Sequence, residues 1–228
     1  MSNRPRIEIP GALYHLNANA LDGMQLYRTE EDRLAFFDLF ADQAVRSDWA
    51  VLEYTLMTTH FHAVIRLAKE SLSSGFQRMQ SIYARGYNKR HERRGVVWQR
   101  RFYDTIIESE RHFFEAIRYV ALNAPRAGMC ERPEDYRWCS YGSAIGIYPP
   151  DPLVDERELL APFGRTRAVA RRRLQQYVEE ADPRERWRQT LLRGASEAGV
   201  TPRAAKRPRR GAGRSSPGRW GPRWHPTR

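Results

Sequence analysis

Cysteine is almost missing from this sequence: Cys130 and Cys139 stand in a C-x8-C spacing, with neither a second pair nor a histidine cluster nearby. That excludes a disulfide framework and a zinc knuckle, and it fits a reducing compartment. Long apolar runs are missing too. No stretch approaches the roughly 18 residues needed to cross a bilayer, and the N-terminal stretch from Met1 to Glu8 lacks the apolar segment of a signal peptide. The expected location is therefore the cytoplasm, beside the nucleoid, with no membrane partner. Acid is the third scarcity, and it is local. Beyond Thr201 there are nine Lys/Arg and no Asp or Glu, amid many Pro and Gly, a composition that cannot form a packed core and is expected to be disordered when free.

What is present points to a polyanionic partner. The net charge is +12 and the pI about 10.2, which makes nucleic acid the first candidate. The charge is unevenly placed: residues 1–164 carry 21 Lys/Arg against 22 Asp/Glu, and residues 165–228 carry 18 against 5. Any nucleic-acid site in the first part must therefore be local. A length of 228 residues allows one domain with an extension, and the expected divisions are 1–148 for the main domain, 149–200 for a helical extension and 201–228 for a basic tail. Arg207, Arg209 and Arg210 in that tail are candidate phosphate contacts, and their affinity should fall steeply with salt.

Hydrophobic periodicity gives the elements. Gly11 to Ala18 alternates as a strand, with Tyr14 and Leu16 on one face and His15 and Asn17 on the other; His15 is a further polar candidate beside its structural reading. Thr29 with Glu30, Glu31 and Asp32 is a helix start, and Leu34, Phe37, Phe40, Ala41, Ala44 and Val45 recur at helical spacing to about Arg46. Trp49–Met57 and Phe61–Leu67 read as antiparallel neighbours joined by a tight turn. Ser71 is the expected cap of a second helix with Leu72, Phe76, Met79 and Tyr83 on one face. A strand over 102–108 and a third helix opened by Ser109 and stopped at Pro125 follow. Residues 126–147, rich in aromatics, should wrap the core. The order strand, helix, strand, strand, helix, strand, helix belongs to a ferredoxin-like α+β fold with helices on one side of an antiparallel sheet.

The chemistry gathers around Tyr54-Thr-Leu-Met-Thr-Thr-His60-Phe61-His62-Ala-Val-Ile-Arg66. Successive side chains of a strand point to opposite faces, so His60 and His62 project together while Phe61 turns inward. Two imidazoles side by side make half a metal site, or simply a polar face. A second helix packed on the sheet could bring Tyr83 against them. A phenol with its pKa near 10 is a poor nucleophile, but a metal can polarise a phosphodiester for its attack. As a core-facing aromatic, Tyr83 would look the same. Trp98, Arg100 and Arg101 read either as DNA contacts, by stacking and phosphate neutralisation, or as packing and solvated charge.

Five segments in order resemble the REP-associated tyrosine transposases, single-tyrosine HUH enzymes of the insertion-sequence type: Leu56-Met-Thr-Thr-His-Phe-His62, Ser81-Ile-Tyr-Ala-Arg-Gly-Tyr-Asn-Lys-Arg-His91, Gly95-Val-Val-Trp-Gln-Arg-Arg-Phe102, Arg118-Tyr-Val-Ala-Leu-Asn-Ala-Pro-Arg-Ala-Gly128 and Pro133-Glu-Asp-Tyr-Arg-Trp-Cys-Ser-Tyr141. The resemblance covers about residues 4–146. It implies an HUH endonuclease-like fold and nicking and joining of single-stranded hairpin DNA through a 5′-phosphotyrosine with Mg²⁺ or Mn²⁺. His60 and His62 match the metal ligands, Tyr83 matches the nucleophile and Asn88 the third ligand. Tyr87 is an alternative nucleophile and His91 a further ligand candidate. The chain departs from the family at Thr58-Thr59, where Pro-Asn is usual, near Asn19, where an arginine is common, and at Arg100, where a glycine is expected. The rival reading is a catalytically lapsed DNA-binding protein on the same fold. Relatives differ in oligomeric state, and a homodimer is compatible with the resemblance.

Overall fold

Residues 8–69 and 71–180 are described by the computed structural model of the chain. β1 (Leu13–Asn19) leads through a turn into α1 (Glu30–Ser47), followed by β2 (Trp49–Leu56), β3 (His60–Leu67), α2 (Leu72–Arg90), β4 (Tyr103–Ile107) and α3 (Glu110–Ala121). Four short or medium helices complete the order: α4 (Asn123–Arg126), α5 (Tyr141–Ala144), α6 (Glu156–Leu160) and α7 (Arg167–Glu179). The sheet runs β2-β3-β1-β4 and every pairing is antiparallel. That is the expected α+β fold. No described helix is long and apolar enough to cross a membrane.

The helix starts follow their local chemistry. Thr29 accepts from the Asp32 amide, and the Asp32 carboxylate accepts from the Thr29 and Arg28 amides, a reciprocal cap that satisfies otherwise orphaned donors. Ser109 caps α3 in the expected way, accepting from the His112 amide. Ser71 precedes α2 but caps nothing. Its hydroxyl accepts from the Trp49 indole, and the Leu72 and Ser73 amides are instead met by the Glu8 carboxylate, at 2.7 and 2.8 Å. An anion from a distant part of the chain thus serves the helix N-terminus.

Strand alternation divides the molecule into two cores. One face of the sheet presents Leu16, Phe61 and Ile65 to α1 and α2, where they pack with Phe36, Phe40, Phe76 and Met79. Phe61 stacks on Phe76 with ring centroids 5.9 Å apart and planes 2° from parallel. The opposite face presents Val64 and Ile107 to Phe113, Ile117 and Val120 of α3. Helices therefore lie on both sides of the sheet, where the sequence reading had placed them on one. The reason is that α3 is amphipathic enough, through Phe113, Ile117 and Val120, to bury the second apolar row, which would otherwise face water.

The aromatic segment after α4 wraps the outer edge of β2. Leu56 donates to the Trp138 carbonyl at 2.8 Å, Ser140 to the Tyr54 carbonyl at 3.1 Å, and Asp155 to the Val51 carbonyl at 2.8 Å. These bonds satisfy an edge that would otherwise be exposed. Leu159, Leu160, Phe163, Ala170, Leu174 and Val178 of the following segment join the α3-side core, so residues up to 180 share that core rather than standing apart from it. Tyr177 of α7 lies under the Arg118 guanidinium, 4.2 Å from ring centroid to Cζ, and its ring is 5.5 Å from that of Phe114. α7 therefore braces α3. The helix expected over 183–198 and the basic tail, with Arg207, Arg209 and Arg210, lie outside the described residues.

Within the α3-side core, Glu53 is 1 % exposed and neither carboxylate oxygen has a hydrogen-bond partner. Burial raises its pKa well above the usual value, so the folded protein keeps this carboxyl protonated where the unfolded chain ionises it. Stability contributed here is present at acid pH and is lost as pH rises above the unfolded value, because the native state then holds the extra proton. Thermal melts from pH 5 to 8 should accordingly show a flatter pH dependence for Glu53→Gln than for wild type. Glu53→Met, which also removes the orphaned oxygens, should melt higher at pH 8 by at least about 2–4 °C, corresponding to roughly 1 kcal/mol for a chain of this size.

Candidate functional site

β3 places His60 and His62 on the α3 face of the sheet, as their alternation with Phe61 requires. In register, Asn19 stands opposite His60 and Asn17 opposite His62. The two imidazole centroids are 5.0 Å apart. Each ring has its Nδ1 engaged: that of His60 lies 3.1 Å from the Thr59 hydroxyl, and that of His62 lies 3.2 Å from Nε2 of His15. Thr59 is one of the positions that depart from the family pattern, and it supplies a polar partner to the first histidine.

The tyrosine beside these histidines comes from α3. The ring of Tyr119 lies edge-on to His62 and to His15, with centroid separations of 5.1 and 5.4 Å. Asn123 follows four residues later, on the same helical face, because the turn continues past Ala121 through the Leu122 amide bonded to the Arg118 carbonyl. Its side chain acts on both neighbours, raising the pKa of His60 and lowering that of Tyr119. Arg126 sits with its guanidinium 5.8 Å from the Tyr119 ring centroid.

Burial sets the charge state of this cluster. Desolvation lowers the pKa of His60. It lowers that of His62 further, with His15 and His60 adding to the effect, and takes His15 down to about 4, with His112 contributing. All three imidazoles are therefore neutral near pH 7, the form that binds metal. Tyr119 is raised by burial, against which the Asn123 bond and the Arg126 charge both act. Arg126 itself is lowered to about 10 by burial.

Among the described residues no group of three or more His, Cys, Asp or Glu is gathered to hold a metal ion. A metal at His60 and His62 would need an amide oxygen as its third protein donor. Asn123 offers one, and the enclosed Oδ1 of Asn17, opposite His62, accepts no hydrogen bond. Two neutral imidazoles with amide oxygens suit a divalent ion that takes mixed N and O donors, Mn²⁺ better than the harder Mg²⁺.

The residues expected on α2 lie elsewhere. Tyr83 is 1 % exposed on the α1/α2 side, donating its hydroxyl to the Leu26 carbonyl at 2.6 Å. Burial raises its pKa strongly. Tyr87 points the same way and donates to the Gln25 carbonyl at 2.8 Å. The expectation that α2 brings Tyr83 against His60 and His62 is corrected by the alternation in β3: α2 covers the face onto which Phe61 points. Asn88 bonds to the Gly95 carbonyl and to Arg93 in the loop after α2, and His91 meets Asp32 at 2.7 Å. Neither is near the histidines. Trp98 is 8 % exposed, with its indole donating to the Gln80 carbonyl at 2.9 Å and its ring 5.7 Å from that of Tyr83; it packs the core and offers no stacking platform. Arg100 and Arg101 are exposed. The signal in the sequence for Tyr119 and Asn123 is their spacing, four residues apart ahead of Pro125.

A profile of the family described as "Transposase IS200 like" matches residues 20–122. A protein of Haemophilus influenzae assigned as a REP-associated tyrosine transposase is 23% identical over 164 residues, covering 66% of this chain and 93% of the relative. A solved structure of a REP-associated tyrosine transposase bound to a REP hairpin superimposes with a TM-score of 0.56 at 16% identity, over 65% of this chain and 89% of the other. At that identity the likeness is one of fold.

Tyr83→Phe should leave the Leu26 carbonyl without its buried donor and lower stability by about 1–3 kcal/mol. Urea denaturation measures it; a change below roughly 0.3 kcal/mol would show that this hydroxyl is not tied into the core.

Proposed function

We propose that the chain, whose residues 20–122 match the profile of the IS200-like transposases, is a DNA endonuclease and strand transferase of the cytoplasm, acting on single-stranded or hairpin DNA with Tyr119 as its nucleophile. The observation that carries the assignment is the convergence of Tyr119 and Asn123 on the His60–His62 pair. In the reaction the Tyr119 phenolic oxygen attacks phosphorus and the bond from phosphorus to the 3′-oxygen breaks. The products are a 5′-phosphotyrosine and a free 3′-hydroxyl, which takes up the proton lost by the phenol. Attack by that hydroxyl on the phosphotyrosine reverses the step or joins a new strand, so no external energy source is needed.

Each side chain has a stated part. Asn123 favours the ionised form of Tyr119. Arg126, beside the Tyr119 ring, opposes the negative charge that builds during attack. His60, His62 and the Asn123 amide oxygen would hold a divalent ion, Mg²⁺ or Mn²⁺, whose chemistry is to polarise the phosphodiester. The REP hairpin bound by the structural relative supports a hairpin substrate, with the exposed Arg100 and Arg101 as proposed phosphate contacts.

Incubation of a labelled hairpin oligonucleotide with the full chain and Mn²⁺ tests the reading. A covalent adduct should form, be kept in Tyr83→Phe and Tyr87→Phe, and be lost in Tyr119→Phe; His60→Ala, His62→Ala or chelation should cut its rate by at least about 100-fold. An adduct that survives Tyr119→Phe sinks the nucleophile assignment. DNA binding with no adduct in any variant or metal would leave a catalytically lapsed binding protein.

A further inference from the structure

His15 belongs to no part of the mechanism above, yet its ring nitrogen lies within hydrogen-bond distance of His62. It projects from β1, whose two neighbours β3 and β4 hold it on both sides, onto the α3 face. In register it stands opposite Val64, and Asn17 stands opposite His62, so the contact is diagonal across the ladder. Such diagonals are within reach of ring side chains. Nε2 of His15 lies 3.2 Å from Nδ1 of His62, and the two ring centroids are 5.2 Å apart. Tyr119 packs edge-on against both rings, so the three form one closed cluster.

An imidazole has two nitrogens, and in the neutral ring one donates while the other accepts. At both candidate ligands the engaged nitrogen is Nδ1, through Thr59 at His60 and through His15 at His62. At His62, Nε2 is then the nitrogen left to bind. For His62 this requires the proton on Nδ1, donated to an unprotonated Nε2 of His15. A ring held in this way is fixed in orientation as well as tautomer, whereas a free imidazole turns broadly about its last torsion.

We propose that His15 is a positioning residue for the candidate metal site, accepting a hydrogen bond from Nδ1–H of His62 so that Nε2 is the ligating nitrogen. The proposal rests on the reading of His60 and His62 as metal ligands. It assigns a third histidine, on a different strand, the work that a carboxylate or carbonyl does behind many metal-bound histidines.

Two readouts on the full chain, taken without DNA, test it. Long-range ¹⁵N–¹H correlation of the imidazoles should find His62 as the Nδ1–H tautomer in wild type. In His15→Phe that signal should move toward the Nε2–H form, and Mn²⁺ affinity measured by electron paramagnetic resonance should fall about 10–100-fold. His15→Gln, whose amide oxygen can accept the same proton, should recover most of both. His62 found as Nε2–H in wild type, or unchanged in tautomer in His15→Phe, overturns the proposal, and the wild-type result does so even if the phenylalanine variant fails to fold. If wild type takes up no Mn²⁺, the metal-ligand reading fails, and the nitrogen shifts still decide whether His15 holds His62.

Discussion

The alternation of side chains along β3 is the constraint on which the structure depends. Within three residues it sends Phe61 into the α1/α2 core and His60 and His62 toward α3. Everything packed on the Phe61 side is thereby separated from the histidines by the thickness of the sheet. Tyr83, Tyr87 and Trp98 lie on that side as buried, hydrogen-bonded aromatics. α3, on the other side, is the element that can deliver a nucleophile. Its position is secured by an apolar row against the sheet and by α7 packed behind it.

The site combines burial with partial compensation. Desolvation keeps three imidazoles neutral and discourages ionisation of Tyr119. Asn123 and Arg126 work against the penalty on the phenol, and Asn123 also works against that on His60. Under the proposed reading, the partial offset at Tyr119 favours its ionisation during attack on a phosphodiester, beside imidazoles that stay uncharged.

Much of the fold was legible in the sequence because it rests on local patterns. The Thr29 cap, the Ser109 cap, the tight turn between β2 and β3 and the alternation of His15 and Asn17 against Tyr14 and Leu16 all stand where spacing put them. What failed was information that is not local. Ser71 has a cap residue's identity, but Glu8, more than sixty positions away, supplies the bonds. The histidine pair was likewise legible, and its partner was not, because periodicity marks a helix face as apolar without saying which side of the sheet it covers. Tyr83 and Tyr87 lie on such a face, and nothing local marks it as the one turned away from the histidines. Tyr119 and Asn123, one turn apart before Pro125, were in plain sight within a segment already recognised as family-like.

The central claim is that the tyrosine on the histidine side of the sheet makes the covalent bond to DNA. Tandem mass spectrometry of the wild-type chain, digested after trapping on a hairpin oligonucleotide with a bridging 3′-phosphorothiolate at each candidate scissile position, reads the answer directly. The account predicts a nucleotide adduct on the peptide carrying Tyr119. An adduct on Tyr83 or Tyr87 would contradict it.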